Sequence, residues 1–285
     1  MIKFARLSLA LGIGFFLFAG SAHAIGSGEV VNADDFEAKS TVIIYGKSGT
    51  VCSGTLIAPD LVLTAAHCVV GFDFKQMLSI FKEASDFLVS FNNWPKNGRL
   101  TLHQVSGLRV HPSWPKDISN FIWRKTTDLA LLRLAANAPT SSVPVKILRE
   151  NLLQAGSRVT LAGYGHTTKE GTDFGVLRRF FSMVENLVAN GTVGQFALFK
   201  AQDLPWTKDE YSSADEAKKK VIEEAGIHEG DSGGPAYLLL DGTPFVAGVL
   251  SNYDPNDPRA VYQNVAVHSK WIDQTAQELG TRADR

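Results

Sequence analysis

Short apolar runs separated by turn residues dominate the chain from Thr41 onward. Runs of this length, rich in β-branched and aromatic residues and bounded by turn residues, predict β-strands. The dipeptide Asp241-Gly242 separates two of them and predicts a tight hairpin. Many short strands at this spacing predict a β-barrel or β-sandwich. The predicted strands are Thr41–Tyr45, Thr50–Ala58, Leu61–Ala65, Asp86–Phe91, Leu100–Val110, Leu129–Leu134, Arg158–Tyr164, Val176–Val184, Ala236–Leu240, Pro244–Leu250 and Ala260–Val267.

Two stretches carry a helical pattern instead. Ser213–Ala225 is polar and has high helix propensity, whereas Val267–Leu279 is amphipathic and is expected to pack on a barrel. Between the strands, Ala135–Pro144 is rich in proline, serine and threonine and is the most linker-like segment. It divides the chain after residue 24 into two parts of similar size.

The first 24 residues follow a different pattern. Lys3 and Arg6 precede an apolar run from Leu7 to Ala19, and small residues lead up to Ala24. This pattern predicts a secretory signal peptide, residues 1–24, cleaved after Ala24. The run is short for a membrane span, and no later stretch of the sequence is long and apolar enough for one. We therefore expect a secreted or periplasmic protein without membrane attachment after cleavage.

Composition narrows the possible functions. The chain has 285 residues, of which 45% are hydrophobic and 20% charged, with a formal net charge of −1. This length suffices for one large domain or two coupled ones, and the charge balance does not predict nucleic-acid binding. Export permits a disulfide between the only two cysteines, Cys52 and Cys68, worth about 3 kcal/mol by loop closure. Two cysteines without further ligands at metal spacing do not predict a metal site.

Three separated residues have side chains suited to nucleophilic catalysis. Ser232 lies in a glycine-rich turn whose free N–H groups could hold a negative charge, but a serine needs a positioned base. His67 follows small residues, precedes Cys68 and is the candidate base. Asp128 stands at the start of an apolar strand, where a buried carboxylate needs a partner such as a histidine. Taken singly, each also fits a structural role as a turn, a core histidine or a cap.

Together these segments resemble the trypsin-like (chymotrypsin-fold) serine proteases, in which the same residue types occur in the order His, Asp, Ser. Further segments similar to the family are Val110 to Trp114, Gly163-Tyr164-Gly165 and the end from Val261 to Ile272. The three motifs that carry the resemblance are Leu63-Thr64-Ala65-Ala66-His67-Cys68, Asp128-Leu129-Ala130-Leu131-Leu132 and Gly230-Asp231-Ser232-Gly233-Gly234-Pro235.

The resemblance implies an all-β fold of two packed six-stranded antiparallel β-barrels with a C-terminal helix. The trypsin-like peptidase domain would span 25–285, with the N-terminal barrel at about 25–138 and the C-terminal barrel at about 139–285. It also implies that Ser232 attacks the substrate carbonyl, His67 carries its proton and Asp128 orients His67. The N–H groups of Gly230 and Ser232 would form the oxyanion hole, with no metal or other cofactor involved.

The family also implies an activation pair. A buried aspartate next to the nucleophile, here Asp231, binds the amino group of a hydrophobic N-terminus. Cleavage after Ala24 would expose Ile25 as that terminus, so that signal peptidase itself would generate the active form; Val30 is the alternative start. His228 stands where the family has a cysteine.

The substrate pocket departs from the trypsin pattern. Its base falls on Gly226, where trypsins carry an acid, and its walls fall on Ser251, Tyr253 and Ala260. We therefore expect a preference for small or apolar P1 residues rather than Arg or Lys. Glu223 and Glu224 lie close to this position, and without the family's cysteine to fix the register a shift of one or two residues is the alternative.

Two insertions lengthen the interval between His67 and Asp128, at about Phe72–Ser85 and Trp114–Thr126, and are expected to be surface loops. The glycine-rich turn also fits the elbow of α/β-hydrolases, but too few residues follow Ser232 for that fold. We therefore predict a secreted serine endopeptidase that acts on proteins or peptides through an acyl-enzyme, as a monomer. The alternative is a catalytically impaired binding or adhesion protein on the same fold.

Overall fold

The computed structural model of the chain describes residues 28–91, 100–119, 126–166, 175–188, 193–197, 227–253, 259–281 and 283. The predicted helix Ser213–Ala225 and the predicted site residues Ile25 and Gly226 lie outside the described residues. Within them, no helix is long and apolar enough to cross a membrane.

Most of the described chain is β-strand. The strands are, in chain order, β1 (Glu29–Val30), β2 (Thr41–Gly46), β3 (Val51–Ala58), β4 (Leu61–Thr64), β5 (Val70–Asp73), β6 (Leu78–Phe81), β7 (Phe87–Ser90), β8 (His103–Val110), β9 (Ala130–Leu134), β10 (Lys146–Ile147), β11 (Arg158–Gly163), β12 (Arg178–Val188), β13 (Val193–Ala197), β14 (Pro235–Leu240), β15 (Thr243–Tyr253) and β16 (Arg259–Asn264). Two α-helices are described, α1 (Phe36–Ser40) and α2 (Val265–Glu278).

The first half of the chain closes into an antiparallel barrel. Its strands follow one another around the barrel in the order β2, β3, β4, β9, β8, β7. Ile43, Leu56, Leu63 and Leu131 are fully buried in this barrel. Burial of such side chains is worth about 1.5–3 kcal/mol each, so the interior favours closure.

The second half forms a larger sheet with a closed circuit of its own. Among the described residues, six strands pair in the order β12, β11, β14, β15, β16, β13, and β13 pairs back with β12. β1 and β10 extend this sheet through pairs with β12 and β15. The fold is therefore the predicted all-β arrangement of two antiparallel barrels.

The C-terminal helix packs across both halves. Asn264 caps α2 by accepting a hydrogen bond from the Ala266 N–H, as preferred N-cap residues do. Val265, Ile272 and Ala276 recur at helical spacing and are buried, and α2 contacts β9, β10 and β15. The predicted amphipathic helix is confirmed, and it begins two residues before the predicted start.

The first insertion is a β-hairpin rather than an irregular loop. β5 and β6 pair with each other, and a described part of the second insertion packs beside them. The Ser79 N–H donates to the Lys116 carbonyl, and the Ile118 N–H donates to the Met77 carbonyl, both over 2.8 Å. The two insertions therefore form one unit that begins shortly after His67.

Candidate active site

Ser232 lies on a tight turn that only glycines can make. Gly230 and Gly233 have φ angles of 100° and 78°, in the left-handed region that side chains disfavour. A Cβ atom on Gly233 would lie 2.1 Å from Thr64 Oγ1 and 2.5 Å from the Ser53 carbonyl oxygen. The glycines therefore let this turn press against strands β3 and β4 of the N-terminal barrel.

Ser53 on β3 holds this turn from the other barrel. Its N–H donates to the Ser232 carbonyl over 2.8 Å, and its hydroxyl donates to the Gly230 carbonyl over 2.7 Å. The same hydroxyl accepts from the Tyr164 N–H over 2.9 Å. Sequence reasoning missed Ser53, although a buried serine next to Cys52 in an apolar strand is a signal that could have suggested a role.

His67 lies in a single 3₁₀ turn, Ala66–Cys68, directly after β4. Its N–H donates to Asp128 Oδ1 over 2.9 Å, and its Nδ1 lies 2.7 Å from Asp128 Oδ2. Because a carboxylate only accepts, Nδ1 carries the proton, which leaves Nε2 as the basic nitrogen. The predicted disulfide between Cys52 and Cys68 is present and holds this turn to β3.

Asp128 is fully buried, and its carboxylate is satisfied by three hydrogen bonds. Besides the two from His67, the Ser251 hydroxyl donates to Oδ2 over 2.7 Å. We predicted Ser251 as a wall of the substrate pocket, and the structure places its hydroxyl against Asp128. This contact supports the carboxylate from the C-terminal barrel, which the sequence alone did not indicate.

The turn with Ser232 lies beside His67. The Cys68 Sγ atom lies 3.6 Å from the Ser232 carbonyl oxygen and 3.9 Å from His67 Nε2. Among the described residues, the Ser232 hydroxyl forms no hydrogen bond, so the contact that would pass its proton to His67 is not formed. Catalytic hydrogen bonds are often long without substrate and shorten when it binds.

The N–H groups of Gly230 and Ser232 are the predicted oxyanion donors, and this role stays a prediction. Within the described part of the chain, the N–H groups of Gly230 and Ser232 donate to no acceptor. The N–H groups of Asp231 and Gly234 in the same turn are engaged, with the carbonyls of His228 and Asp231. Two unengaged donors on one turn can bind an oxygen that becomes negatively charged.

Asp231 is 1% exposed, and its carboxylate packs against Gly163 and Gly165 of the C-terminal barrel. Its carboxylate accepts from the Gly165 N–H over 2.8 Å and from the His228 N–H over 3.0 Å. Burial raises its pKa to about 6, against these hydrogen bonds and the charges of His166 and Arg178, which lower it. A buried carboxylate of this kind favours a cationic partner.

The first described residues lie along the start of β12. The Val31 N–H donates to the Leu177 carbonyl over 3.0 Å, and the Gly28 carbonyl lies 3.5 Å from Arg178 Nη1. Arg178 is one of the groups whose charge acts on Asp231. Gly28 therefore lies beside a cationic side chain whose charge acts on Asp231.

Two predicted pocket residues lie opposite each other on paired strands. Tyr253 on β15 is partly buried and faces Ala260 on β16, which is fully buried. The register therefore places these two residues side by side, and their role in a substrate pocket stays a prediction.

Comparison with known proteins identifies similar sequences. The family model described as Trypsin matches residues 25–272. Vitamin K-dependent protein C of Mus musculus is 28% identical, over 84% of this chain and 49% of its own length. Trypsin epsilon of Drosophila erecta is 26% identical, over 80% of this chain and 78% of its own. Chymotrypsin-like elastase family member 1 of Homo sapiens is 27% identical, over 78% of this chain and 79% of its own length. The chain thus spans about half the length of the protein C relatives.

Proposed function

Because the chain belongs to the trypsin family and is a serine endopeptidase of that family, we propose that it cleaves proteins or peptides with Ser232, His67 and Asp128. The observation that carries these roles is the bond between a fully buried carboxylate and the Nδ1 of a partly exposed histidine beside the Ser232 turn. A histidine so oriented presents a basic Nε2 to the cleft.

The proposed reaction passes through an acyl-enzyme. Ser232 Oγ attacks the substrate carbonyl while its proton moves to His67 Nε2, and Asp128 stabilises the resulting imidazolium. The carbonyl oxygen becomes negative within reach of the Gly230 and Ser232 N–H groups, whose contribution in such sites is about 3 kcal/mol for each donor. His67 then protonates the departing amine, and water attacks the acyl group by the same steps in reverse order.

An active-site probe tests this assignment. A fluorophosphonate should label the wild type at Ser232 and fail to label Ser232→Ala. Ser106→Ala removes an exposed serine on β8 and should label as the wild type does. Absence of labelling in folded wild-type protein would contradict the proposal and favour the alternative, a binding protein on this fold.

The proposed activation concerns the N-terminal residues that precede Gly28. Two residues separate Ile25 from Gly28, and the three residue-to-residue steps span at most about 10 Å when extended. We propose that signal cleavage after Ala24 frees the Ile25 amine, which pairs with Asp231 and orders the neighbouring turn. N-terminal sequencing of the exported, probe-reactive protein should begin at Ile25. Any other start, including Val30, would contradict this.

The remaining parts of the proposal are the cellular location, the oligomeric state and the substrate preference. We propose a secreted or periplasmic monomer, with barrels at about 25–138 and 139–285, that prefers small or apolar P1 residues. Gly226, which would form the base of the pocket, lacks the acid that trypsins use there. A peptide-substrate library should show cleavage after small or apolar residues, and a clear preference for Arg or Lys would contradict this expectation.

A further inference from the structure

One arginine on β12 contacts three carboxylates of the N-terminal segment, residues 28–40. The Arg179 Nε donates to Glu29 Oε2 over 3.2 Å. Its Nη1 donates to Asp35 Oδ2 over 3.1 Å and to Glu37 Oε1 over 3.4 Å. The segment contains four acidic residues, so three of the four meet on a single guanidinium.

The backbone pairing of β1 is too short to fix this segment by itself. β1 extends the C-terminal sheet by only two residues, both exposed. Segments near a chain terminus are poorly ordered unless other contacts tie them down. Glu29 lies on β1 directly opposite Arg179, and Asp35 accepts from the Asn32 N–H in the turn that leads into α1. The arginine therefore ties down both ends of the stretch between β1 and α1.

Glu37 is the buried member of the group. It is 1% exposed, and its Oε2 has no hydrogen-bond partner among the described residues. Burial raises the pKa of Glu37, whereas its backbone hydrogen bond and the charge of Arg179 lower it. A buried carboxylate that loses its cationic partner is strongly unfavourable. Glu37 therefore keeps the guanidinium in place while the same group holds Glu29 and Asp35.

The sheet register connects this group to the surroundings of Asp231. Val30 on β1 pairs with Arg178 on β12, and Arg178 pairs in turn with Gly163 on β11. A Cβ atom on Gly163 would lie 2.2 Å from Asp231 Oδ1. Neighbouring strands are about 4.8 Å apart, so two strand spacings, about 10 Å, separate Val30 from Gly163. Arg179 thus fixes the N-terminal segment two strand positions from the strand that contacts Asp231.

We propose that Arg179 is a positioning residue for activation: it fixes the segment that begins at Gly28, so that the Ile25 amine can pair with Asp231, and this role rests on that proposed pairing. Arg179 would act through the N-terminus and not on the substrate. Without the arginine, the amine would spend more time in solvent. The turn that carries Ser232 would then be ordered in a smaller fraction of the molecules.

The reactivity of the Ile25 amine tests this role without using activity. Exported Ser232→Ala protein that begins at Ile25 is treated with isotopically labelled cyanate near pH 7, and mass spectrometry follows carbamylation of the N-terminal peptide. A paired ammonium reacts slowly, so the parent should be protected and Asp231→Asn should not. Arg179→Gln should react about tenfold faster than the parent, which corresponds to about 1.4 kcal/mol. Arg179→Lys keeps the charge but lacks the planar fork of donors, and its rate should fall between the two.

Further variants separate positioning from a general loss of stability. Arg149→Gln breaks another partly exposed ion pair, with Asp273 on α2, and should leave the amine as protected as in the parent. If Arg179→Gln fails to fold because Glu37 is left unpaired, adding Glu37→Gln removes both charges, and this double variant should still expose the amine. Glu29→Gln removes only the most exposed partner and should raise the rate about twofold.

The alkaline limb of kcat/KM gives a second readout in the active protein. In Arg179→Gln its apparent pKa should fall toward that of a free α-amino group, about 7.7–8.0, because a weaker pairing releases the proton more readily. Arg149→Gln should leave this limb in place.

The outcomes distinguish this role from the proposed function. A protected parent amine with the same protection and the same alkaline limb in Arg179→Gln would overturn the role of Arg179 alone. A parent amine as reactive as that of Asp231→Asn would contradict the pairing itself, and the role of Arg179 with it. Absence of fluorophosphonate labelling would instead contradict the proposed catalytic roles.

Discussion

Asp128 makes its hydrogen bonds only as a carboxylate, because all three partners are donors. Asp128→Asn would turn an NH₂ group toward His67 Nδ1 or Ser251 and favour the wrong histidine tautomer. We expect kcat to fall roughly 10⁴-fold with little change in KM, measured on a peptide substrate. Asp34→Asn, an exposed acid near α1, should retain full activity. A loss expressed in KM alone would contradict the role of Asp128.

The raised pKa of Asp231 predicts that the free energy of unfolding depends on pH, and that this dependence changes with the residue at which the chain begins. Its raised pKa means that the folded protein holds a proton that the unfolded chain has released. Stability from this group is therefore present below about pH 4 and lost as pH rises through about 6. The rise from 3.8 to about 6 corresponds to about 3 kcal/mol.

Urea unfolding at pH 4 to 7 checks this with Asp231→Asn as the reference. Protein that retains residues before Ile25 should lose that free energy relative to the variant as pH rises. Protein that begins at Ile25 should not, because a neighbouring ammonium lowers the pKa of the carboxyl again. The same slope in both forms would contradict the pairing of Ile25 with Asp231.

The proposed catalytic residues could be proposed from the sequence because each lies in a short local pattern, and their roles stay a prediction. The contacts that support these residues could not be predicted from the sequence. Ser53 and Ser251 act across the two barrels, and nothing in their neighbouring residues specifies which carbonyl or carboxylate they will meet.

At the scale of elements, the segment 163–165 at the end of β11 is shaped around Asp231. A Cβ atom on Gly165 would lie 2.5 Å from Asp231 Cγ, whose carboxylate is held from two sides. Gly165→Ala should therefore lower stability by about 1–3 kcal/mol and reduce kcat/KM, because the Ser232 turn must shift. Thermal unfolding and peptide hydrolysis measure the two effects.

A second glycine gives the control for that substitution. Gly156 has a φ angle of 88° and has nothing within 4 Å of the position a Cβ would take. Gly156→Ala should cost about 1–2 kcal/mol from backbone strain and leave activity unchanged. Equal losses of activity in both variants would show that the contact with Asp231 is not the cause.

The predicted strands match the described ones to within a few residues wherever an apolar period runs through them. Sequence analysis missed β1, β5, β6, β10 and β13. β1 and β10 are two residues long and exist only through pairing with the C-terminal barrel. β6 carries Leu78, Ile80 and Phe81, which are 40–50% exposed, so it lacks the one-sided burial that identifies a strand.

At the scale of the molecule, Ser53 joins the barrels through buried hydrogen bonds. Ser53→Ala would leave the Gly230 carbonyl and the Tyr164 N–H without their partner, and we expect a loss of about 2 kcal/mol and a lower kcat. Ser90→Ala is the matched control, since this equally buried hydroxyl has no partner among the described residues. Chemical denaturation should separate the two variants, and equal stability would contradict the role of Ser53.

The proposed site is divided between the two barrels, and this has a consequence for self-cleavage during folding. His67 and Asp128 come from the first barrel, whereas the turn that carries Ser232 belongs to the second and is held by Ser53. On the proposed roles of these residues, a chain in which only one barrel has folded has no activated nucleophile. Peptide hydrolysis on this assignment requires both barrels to be folded. Partly folded copies are the most easily cleaved form of the chain, and they are therefore not cleaved by neighbours that are themselves only partly folded.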